Sequence, residues 1–172
     1  MAFIARGSLL PFGAPVLLSK VITNSTTLSE GDSIKLTSGF VVAGTAAALV
    51  YGHVNSFVDG KDLGLNTDGT TGATLGSFRG TYTSASNNQT VGKVKAIIDI
   101  SKHTLYSADM SAALGTTTGS NIEGNKFDIT DKDTLNEGSI SAATKQYNSF
   151  GVDVENSNNL VVNIYQSAVF GV

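Results

Sequence analysis

Alternation of apolar and polar residues is the clearest pattern in this chain, and it predicts β-strands. In Ser33–Thr37, Ile34 and Leu36 alternate with polar neighbours, which is typical of a strand with one buried face. The segment Lys93–Ile100 carries the strongest strand pattern of the whole sequence. The chain is therefore predicted to be mainly β.

Other short apolar segments predict the remaining strands, and Gly- and Asn-rich sequences separate them. These strands are predicted at Lys20–Thr23, Gly39–Ala43, Gly52–Val58, Thr104–Tyr106, Asn125–Ile129, Phe150–Val154 and Leu160–Tyr165. Turns are expected at Asp59-Gly60 and at Asn156–Asn159. One or two short helices are expected, at Ser107–Leu114 before Gly115 and within Ser139–Tyr147.

The first twenty residues are apolar but follow neither a helical nor an alternating period. Pro11 and Pro15 fix φ and favour extended backbone before them. Two interpretations remain open for residues 1–20: an extended arm that docks on a neighbouring protein, or an edge strand packed on the chain's own sheet. In the first interpretation the docking residues are the large apolar ones of the arm: Phe3, Ile4, Leu9, Leu10 and Phe12.

Residues 21–172 are expected to form a single β-rich domain with one long polar excursion. Large apolar residues are sparse between Gly64 and Gly92, where Asn, Ser, Thr and Gly predominate. We expect a surface loop there, with a hairpin around Ser77–Tyr82. Loops of this length are either functional or mobile.

Composition and charge exclude several classes of function. Charged residues make up 15% of the chain, the net charge is −3, and the 11 basic residues form no cluster. Nucleic-acid binding requires clustered positive charge, so it is not expected. No apolar run approaches the length of a transmembrane helix, and the N-terminal residues do not have the pattern of a secretory signal. The absence of cysteine excludes disulfides and thiolate metal sites.

Candidate catalytic and metal-binding residues are few. The two histidines, His53 and His103, lie in a strand-like segment and beside a turn, without a Gly-x-Ser-x-Gly motif, and we interpret both as structural. The acidic segment Asp128–Glu137 offers oxygen ligands but lacks the EF-hand spacing, so we interpret it as a solvated turn. The same interpretation applies to Asp59, Asp62 and Asp68. We therefore expect no enzyme activity, no cofactor, no metal and no small-molecule substrate.

The order of several segments resembles the decoration (cement) proteins of tailed-bacteriophage heads. These segments are Ser29–Leu36, Leu49–Gly60, Asn88–Ile98, Leu105–Asp109, Gly115–Ile122, Phe150–Asp153 and Val161–Ile164. The resemblance covers most of residues 21–168 and includes no catalytic motif. It implies a small β-barrel or β-tulip-like domain, an N-terminal arm laid over the major capsid protein, and a place on the outer surface of the virion after synthesis in the host cytoplasm.

The resemblance also implies a homotrimer on the capsid. A low content of charged residues agrees with an apolar face shared between copies. The candidate interface residues are Phe40, Val41, Val42, Val169 and Phe170. Alternative interpretations are another virion component, such as a tail or head-fibre protein, or a secreted or surface β-domain that binds carbohydrate.

Overall fold

The fold is mainly β and is built from fifteen short strands in the part of the chain that the structure describes. The computed structural model describes residues 3–10, 14–46, 48–59, 77–78, 80–91, 94–112, 122–140, 145–165 and 167–168. The strands are β1 (Ile4–Ser8), β2 (Leu17–Val21), β3 (Thr27–Ser29), β4 (Ser33–Thr37), β5 (Phe40–Ala43), β6 (Gly52–Asp59), β7 (Ser77–Phe78), β8 (Thr81–Thr83), β9 (Val94–Asp99), β10 (Thr104–Met110), β11 (Lys126–Phe127), β12 (Ile129–Asp131), β13 (Thr134–Leu135), β14 (Tyr147–Asp153) and β15 (Asn156–Ile164). The described residues also include two short helices, α1 (Asn88–Val91) and a 3-10 helix (Glu137–Ser139).

Five strands form a nearly closed, barrel-like sheet. Their order is β2-β9-β6-β4-β5, and β7 pairs with β6 beside β4. The two ends of this order meet where Ile22 forms a parallel bridge with Val41 and the Thr23 N–H donates to the Val41 carbonyl at 2.9 Å. This contact brings the edges of the first sheet together, which confirms the predicted barrel-like class.

The second sheet has the order β11-β14-β15-β10-β13-β12. Strand β10 is central: β15 pairs with one of its edges, and both β1 and β13 pair with it as well. Because β1 pairs with residues 104–107 and β13 with residues 109–110, the two short strands follow each other along β10.

A third, two-stranded sheet of β3 and β8 covers part of the barrel together with α1. The Asn88 amide donates to the carbonyls of Ile22 (2.7 Å) and Val94 (3.1 Å), and its oxygen accepts from the Val94 N–H at 3.0 Å. These bonds attach α1 to the barrel although the segment has little apolar content. Residues 80–91 are therefore packed structure, which corrects the expectation of one continuous surface loop; residues 60–76 lie outside the described residues.

Each of the two large sheets has its own apolar core. The barrel core includes Ile22, Leu28, Ile34, Val41, Phe57 and Ile98. The core of the second sheet includes Phe3, Phe127, Ile129, Leu135, Leu160 and Ile164. The sheets are joined where the Ser33 N–H donates to the Lys132 carbonyl at 2.7 Å and the Lys132 ammonium pairs with the buried Asp32 carboxylate.

Three local predictions are corrected by the structure. Residues 107–110 belong to β10, so the described part of the helix expected at Ser107–Leu114 is a strand or bend. The Asn-rich turn expected at Asn156–Asn159 is part of β15, and the turn lies at Val154-Glu155 instead. Strands β7 and β8 pair with β6 and β3, so they do not form the hairpin expected at Ser77–Tyr82.

The N-terminal segment is extended, as predicted, but its described part pairs with the chain's own sheets. Strand β1 pairs with β10 and strand β2 pairs with β9. Of the two interpretations left open for residues 1–20, the edge strand therefore describes residues 3–10 and 14–20. Backbone hydrogen bonds of these strands and the burial of Phe3 hold the segment in place.

Candidate functional site

The described parts of the N-terminal segment pair with β10 through β1 and with β9 through β2, and we call these parts, residues 3–10 and 14–21, the N-terminal ribbon. Beyond the two strands, the Leu9 N–H donates to the His103 carbonyl at 2.8 Å, and the Ile100 N–H donates to the Val16 carbonyl at 2.9 Å. The ribbon therefore positions side chains of residues 4–10 and 14–18 along the outside of the molecule.

Large apolar side chains are exposed along this ribbon. Among the described residues, ten large apolar side chains are exposed, and six of them lie between residues 4 and 18. Their exposed fractions range from 36% to 48%. We call these six the N-terminal apolar strip: Ile4, Leu9, Leu10, Val16, Leu17 and Leu18. Scattered single apolar residues are normal on a protein surface, but a concentration in one segment indicates an interaction site.

The predicted docking residues differ in their exposure in the structure. Ile4, Leu9 and Leu10 are exposed and belong to the strip. Phe3 is only 3% exposed, and its ring stacks on Tyr147 with 5.0 Å between ring centroids, so it is a core residue rather than a docking residue. Phe12 lies outside the described residues.

The residues predicted to form an interface between copies also differ in their exposure. Val41 is fully buried in the barrel core, which corrects its assignment to an interface. Phe40 and Val42 are half-buried in β5. Val169 and Phe170 lie outside the described residues.

Arg6 attaches the ribbon to the β14–β15 turn. Its guanidinium contacts the Asp153 carboxylate at 3.1 Å and pairs with the Glu155 carboxylate. Hydrogen bonds from the Ser107 hydroxyl and the Glu155 N–H, with the nearby Arg6 charge, hold the pKa of Asp153 below its ordinary value. Arg6 thus fixes the strand that carries Ile4 relative to the rest of the second sheet.

A cleft of about 490 Å³ lies beside the ribbon, at the junction of the two sheets. Its lining comes from β1, from the β3–β4 turn, and from β6, β9 and β10. The lining residues are Phe3, Ile4, Ala5, Glu30, Gly31, His53, Val54, Asn55, Asp99 and Tyr106. Ile4 belongs both to this cleft and to the N-terminal apolar strip, so the two features are continuous.

Aromatic and polar side chains form one side of this cleft. His53 and Asp99 are directly paired across β6 and β9, and their positions opposite each other direct both side chains to the same face. The Asp99 carboxylate accepts hydrogen bonds from the hydroxyls of Tyr106 and Thr104, each at 2.8 Å. Burial, with the neighbouring Asp99 charge, raises the pKa of Tyr106 above its ordinary value, so its hydroxyl remains a donor.

His53 is buried and neutral. Its Nε2 lies 2.9 Å from the Tyr147 hydroxyl, which donates to the Ser33 hydroxyl at 2.8 Å. Burial lowers the pKa of His53 to about 3. Its ring packs against Phe3 and Tyr106, with centroid distances of 4.6 and 4.0 Å. These contacts agree with the structural interpretation of His53; His103 is exposed.

Sequence reasoning did not find this group of side chains. Asp99 lies in the strongest predicted strand and Tyr106 in another, and the sequence pattern of these segments predicts only that both residues belong to strands. The available signal was an acidic residue in an otherwise apolar strand, because a carboxyl group at a buried position requires hydrogen-bond donors.

The acidic segment Asp128–Glu137 forms a short hairpin with local hydrogen bonds. Asp128 pairs with the Lys145 ammonium at 2.8 Å, and the Asp131 carboxylate accepts from the N–H groups of Asp133 (3.2 Å) and Thr134 (3.1 Å). In the part of the chain that the structure describes, no three His, Asp or Glu side chains are grouped to bind a metal. Of the other acidic candidates, Asp59 ends β6, whereas Asp62 and Asp68 lie outside the described residues.

Comparison of this chain with protein-family models, with curated proteins and with solved structures finds no match. In the described residues, no helix has the length and apolar character needed to cross a membrane.

Proposed function

We propose that this chain is a structural protein that binds the outer surface of an assembled viral capsid and stabilises it. The resemblance to phage-head decoration proteins suggests the partner, the major capsid protein. The N-terminal apolar strip supports the proposal, because its exposed aliphatic side chains are suited to contact another protein. Localisation on the virion surface and the absence of catalysis are parts of the same proposal.

The strip is held by backbone pairing, which favours tight docking: Ile4, Leu17 and Leu18 lie on paired strands, and Leu9 and Val16 are hydrogen-bonded to the β9–β10 connection. A free arm loses conformational entropy when it binds, whereas a segment already ordered by β9 and β10 loses much less. Arg6 adds a second restraint on the strand that carries Ile4. The strip is therefore a preformed surface, which combines the edge strand and the docking segment that the sequence offered as alternative interpretations.

Binding of this protein can stabilise a capsid shell because binding is thermodynamically coupled to the state of the lattice. A ligand that binds the mature lattice but not the precursor shifts the equilibrium towards the mature lattice. Many copies on one lattice multiply the effect. Such a protein requires an adhesive surface and a polar exterior, and it requires no active site.

Binding to purified capsids tests the proposal. We expect the chain to sediment with expanded capsids and to remain in the supernatant with procapsids. The double variant Leu9→Ser, Leu17→Ser removes two exposed side chains of the strip, and we expect at least a tenfold weaker affinity, about 1.4 kcal/mol. Circular dichroism and urea unfolding verify that the fold is retained.

The matched control is Leu49→Ser, because Leu49 is exposed at 50% and lies outside the strip. We expect this control to bind capsids as the original chain does. Equal capsid binding by the strip variant and the control, or binding to procapsids and capsids alike, would contradict the proposal.

We further propose that the bound unit is a homotrimer, as the resemblance implies. Closed cyclic symmetry would cover apolar surface on each copy without leaving an adhesive face. Sedimentation of the free chain and imaging of decorated capsids without imposed symmetry test the stoichiometry. Isolated single copies or pairs on the shell would contradict it.

A further inference from the structure

The Asp99 carboxylate is buried, and none of the described residues gives it a cationic partner. It is 5% exposed and accepts three hydrogen bonds, from the hydroxyls of Tyr106 and Thr104 and from the Ser101 N–H at 2.9 Å. Among the described residues no lysine or arginine forms an ion pair with it. Buried carboxylates are usually paired with a cation as well as hydrogen-bonded. A positive group in the adjacent cleft would supply the missing charge.

The His53 ring contributes an unsatisfied hydrogen-bond acceptor. The Tyr147 hydroxyl has one proton and donates it to Ser33, so its oxygen accepts the Nε2 proton of His53. In a neutral imidazole the other nitrogen, Nδ1, is then an acceptor. This Nδ1 is buried and has no hydrogen-bond partner among the described residues, and His53 is 1% exposed and lines the cleft. An unsatisfied buried acceptor is costly, and an N–H donor in the cleft would satisfy it.

The remaining walls of the cleft agree with a ligand that is cationic at one end and apolar along its stem. Glu30 contributes a second carboxylate, and no lysine or arginine is among the described residues that line the cleft. Phe3, Ile4 and Val54 provide apolar walls. The side chains of lysine and arginine combine an apolar stem with a charged head of this kind.

We propose that this cleft receives the ammonium or guanidinium group of a basic side chain from the capsid protein that packs on the N-terminal apolar strip. The proposal rests on the proposed function and extends it, since it names the chemistry of a specific contact. Ile4 lies on both surfaces, so a partner segment on the strip reaches the cleft directly. Asp99 supplies charge, and His53 supplies a hydrogen-bond acceptor.

The purified full chain and a small probe test the cleft without any capsid. The probe is n-butylguanidinium chloride, and N-butylurea is its neutral control of similar shape. We expect the guanidinium probe to shift the imidazole NMR resonances of His53 in a saturable manner and the urea to have at least tenfold lower affinity. Absence of saturable shifts, or equal affinity for both probes, would overturn the proposal.

Charge-neutralising variants locate the probe. Asp99→Asn keeps the side-chain shape and is expected to weaken probe binding at least tenfold, and Glu30→Gln is expected to weaken it to a smaller extent. Glu123→Gln is the control, because Glu123 is exposed and outside the cleft. If Asp99→Asn does not fold, the comparison of the two probes on the original chain decides: equal affinity for n-butylguanidinium and N-butylurea would overturn the proposal.

A competition experiment separates a capsid side chain from a free amine as the natural occupant. We expect saturating n-butylguanidinium, but not N-butylurea, to weaken sedimentation of the chain with expanded capsids. Unchanged capsid binding with the probe bound would overturn the capsid side chain as occupant. If the chain binds no capsids at all, the proposed function and this occupant both fail, whereas the NMR titration still reports on the cation site itself.

Discussion

Two neighbouring residues near the start of the chain have opposite environments. Phe3 is 3% exposed and packs against His53 and Tyr147, whereas Ile4 is 41% exposed. Successive side chains of an extended segment point to opposite sides, so one residue anchors the segment and the next is available to a partner. Apolar character alone could not distinguish Phe3 from Ile4, because both side chains are large and apolar and only the side that each one faces differs.

His53 makes stability dependent on pH. Its pKa is about 3 in the folded chain and near the ordinary 6.5 when unfolded. Between these values the unfolded state binds a proton that the folded state does not, so stability falls as the pH is lowered through this range. We expect the free energy of unfolding to fall by roughly 1 kcal/mol per pH unit from this residue alone.

The difference in the free energy of unfolding between the original chain and His53→Gln separates the pH dependence due to His53 from that due to the carboxyl groups. Urea unfolding of both proteins between pH 7 and pH 4 is the measurement. We expect the difference in stability between the two to shrink as the pH falls. A constant difference across this range would show that His53 is not a neutral buried group.

At the scale of elements, strands with a regular pattern were predictable and those held by distant contacts were not. Strands β4, β5, β6 and β9 agree with the prediction, because apolar residues recur at a period of two or form a compact run. The β14–β15 turn was misplaced, because the Asp153 carboxylate accepts from the Glu155 N–H at 2.9 Å and closes the turn before the Asn-rich sequence. Helix α1 depends on Asn88, whose bonds to Ile22 and Val94 have no sequence signal. The cleft was missed for the same reason, since it combines residues of five distant elements.

Close contact between β6 and β9 requires glycine at position 52. A Cβ added to Gly52 would lie 2.3 Å from the Asp99 carbonyl oxygen, a backbone atom that cannot move independently. We expect Gly52→Ala to lower the free energy of unfolding by about 3 kcal/mol or to prevent folding, because relief of the clash must separate the two strands.

The control is Gly7→Ala in β1, where a Cβ would have no atom within 4 Å. We expect its stability to lie within about 0.5 kcal/mol of the original. Thermal unfolding followed by circular dichroism compares the two variants. Equal stability of both would contradict the close packing of β6 on β9.

At the scale of the whole molecule, the N-terminal ribbon joins two sheets that have separate cores. Strand β1 belongs to the second sheet and strand β2 to the barrel, and Leu9 and Val16 are hydrogen-bonded to the β9–β10 connection. Lys132 and Asp32 provide another link at the same junction. The ribbon is therefore a structural element and an interaction surface at once.

Removal of residues 1–8 tests the structural role of the ribbon. The truncated chain lacks β1, the Phe3 side chain and the Arg6 ion pairs. Loss of the Phe3 ring alone should cost about 3 kcal/mol, so we expect a urea midpoint well below that of the full chain. The variant Ile4→Ser, Leu9→Ser retains β1 and Phe3 and is expected to lose about 1 kcal/mol or less. A truncated chain as stable as the full one would show that residues 1–8 are a dispensable arm.

The pairing of the first strands with β9 and β10 also determines when the protein can fold during synthesis. Ile4 is opposite Ser107, and Leu17 is opposite Asp99, so each of these residues is synthesised about 80 to 100 residues before its partner. At ordinary translation rates of roughly 5–20 residues per second, the N-terminal apolar residues remain without their partners for several seconds. Such long-range pairing also slows folding, because a large loop must close before the contacts form. Nascent chains of this protein should therefore depend on chaperones that shield the N-terminal apolar strip until β9 and β10 emerge.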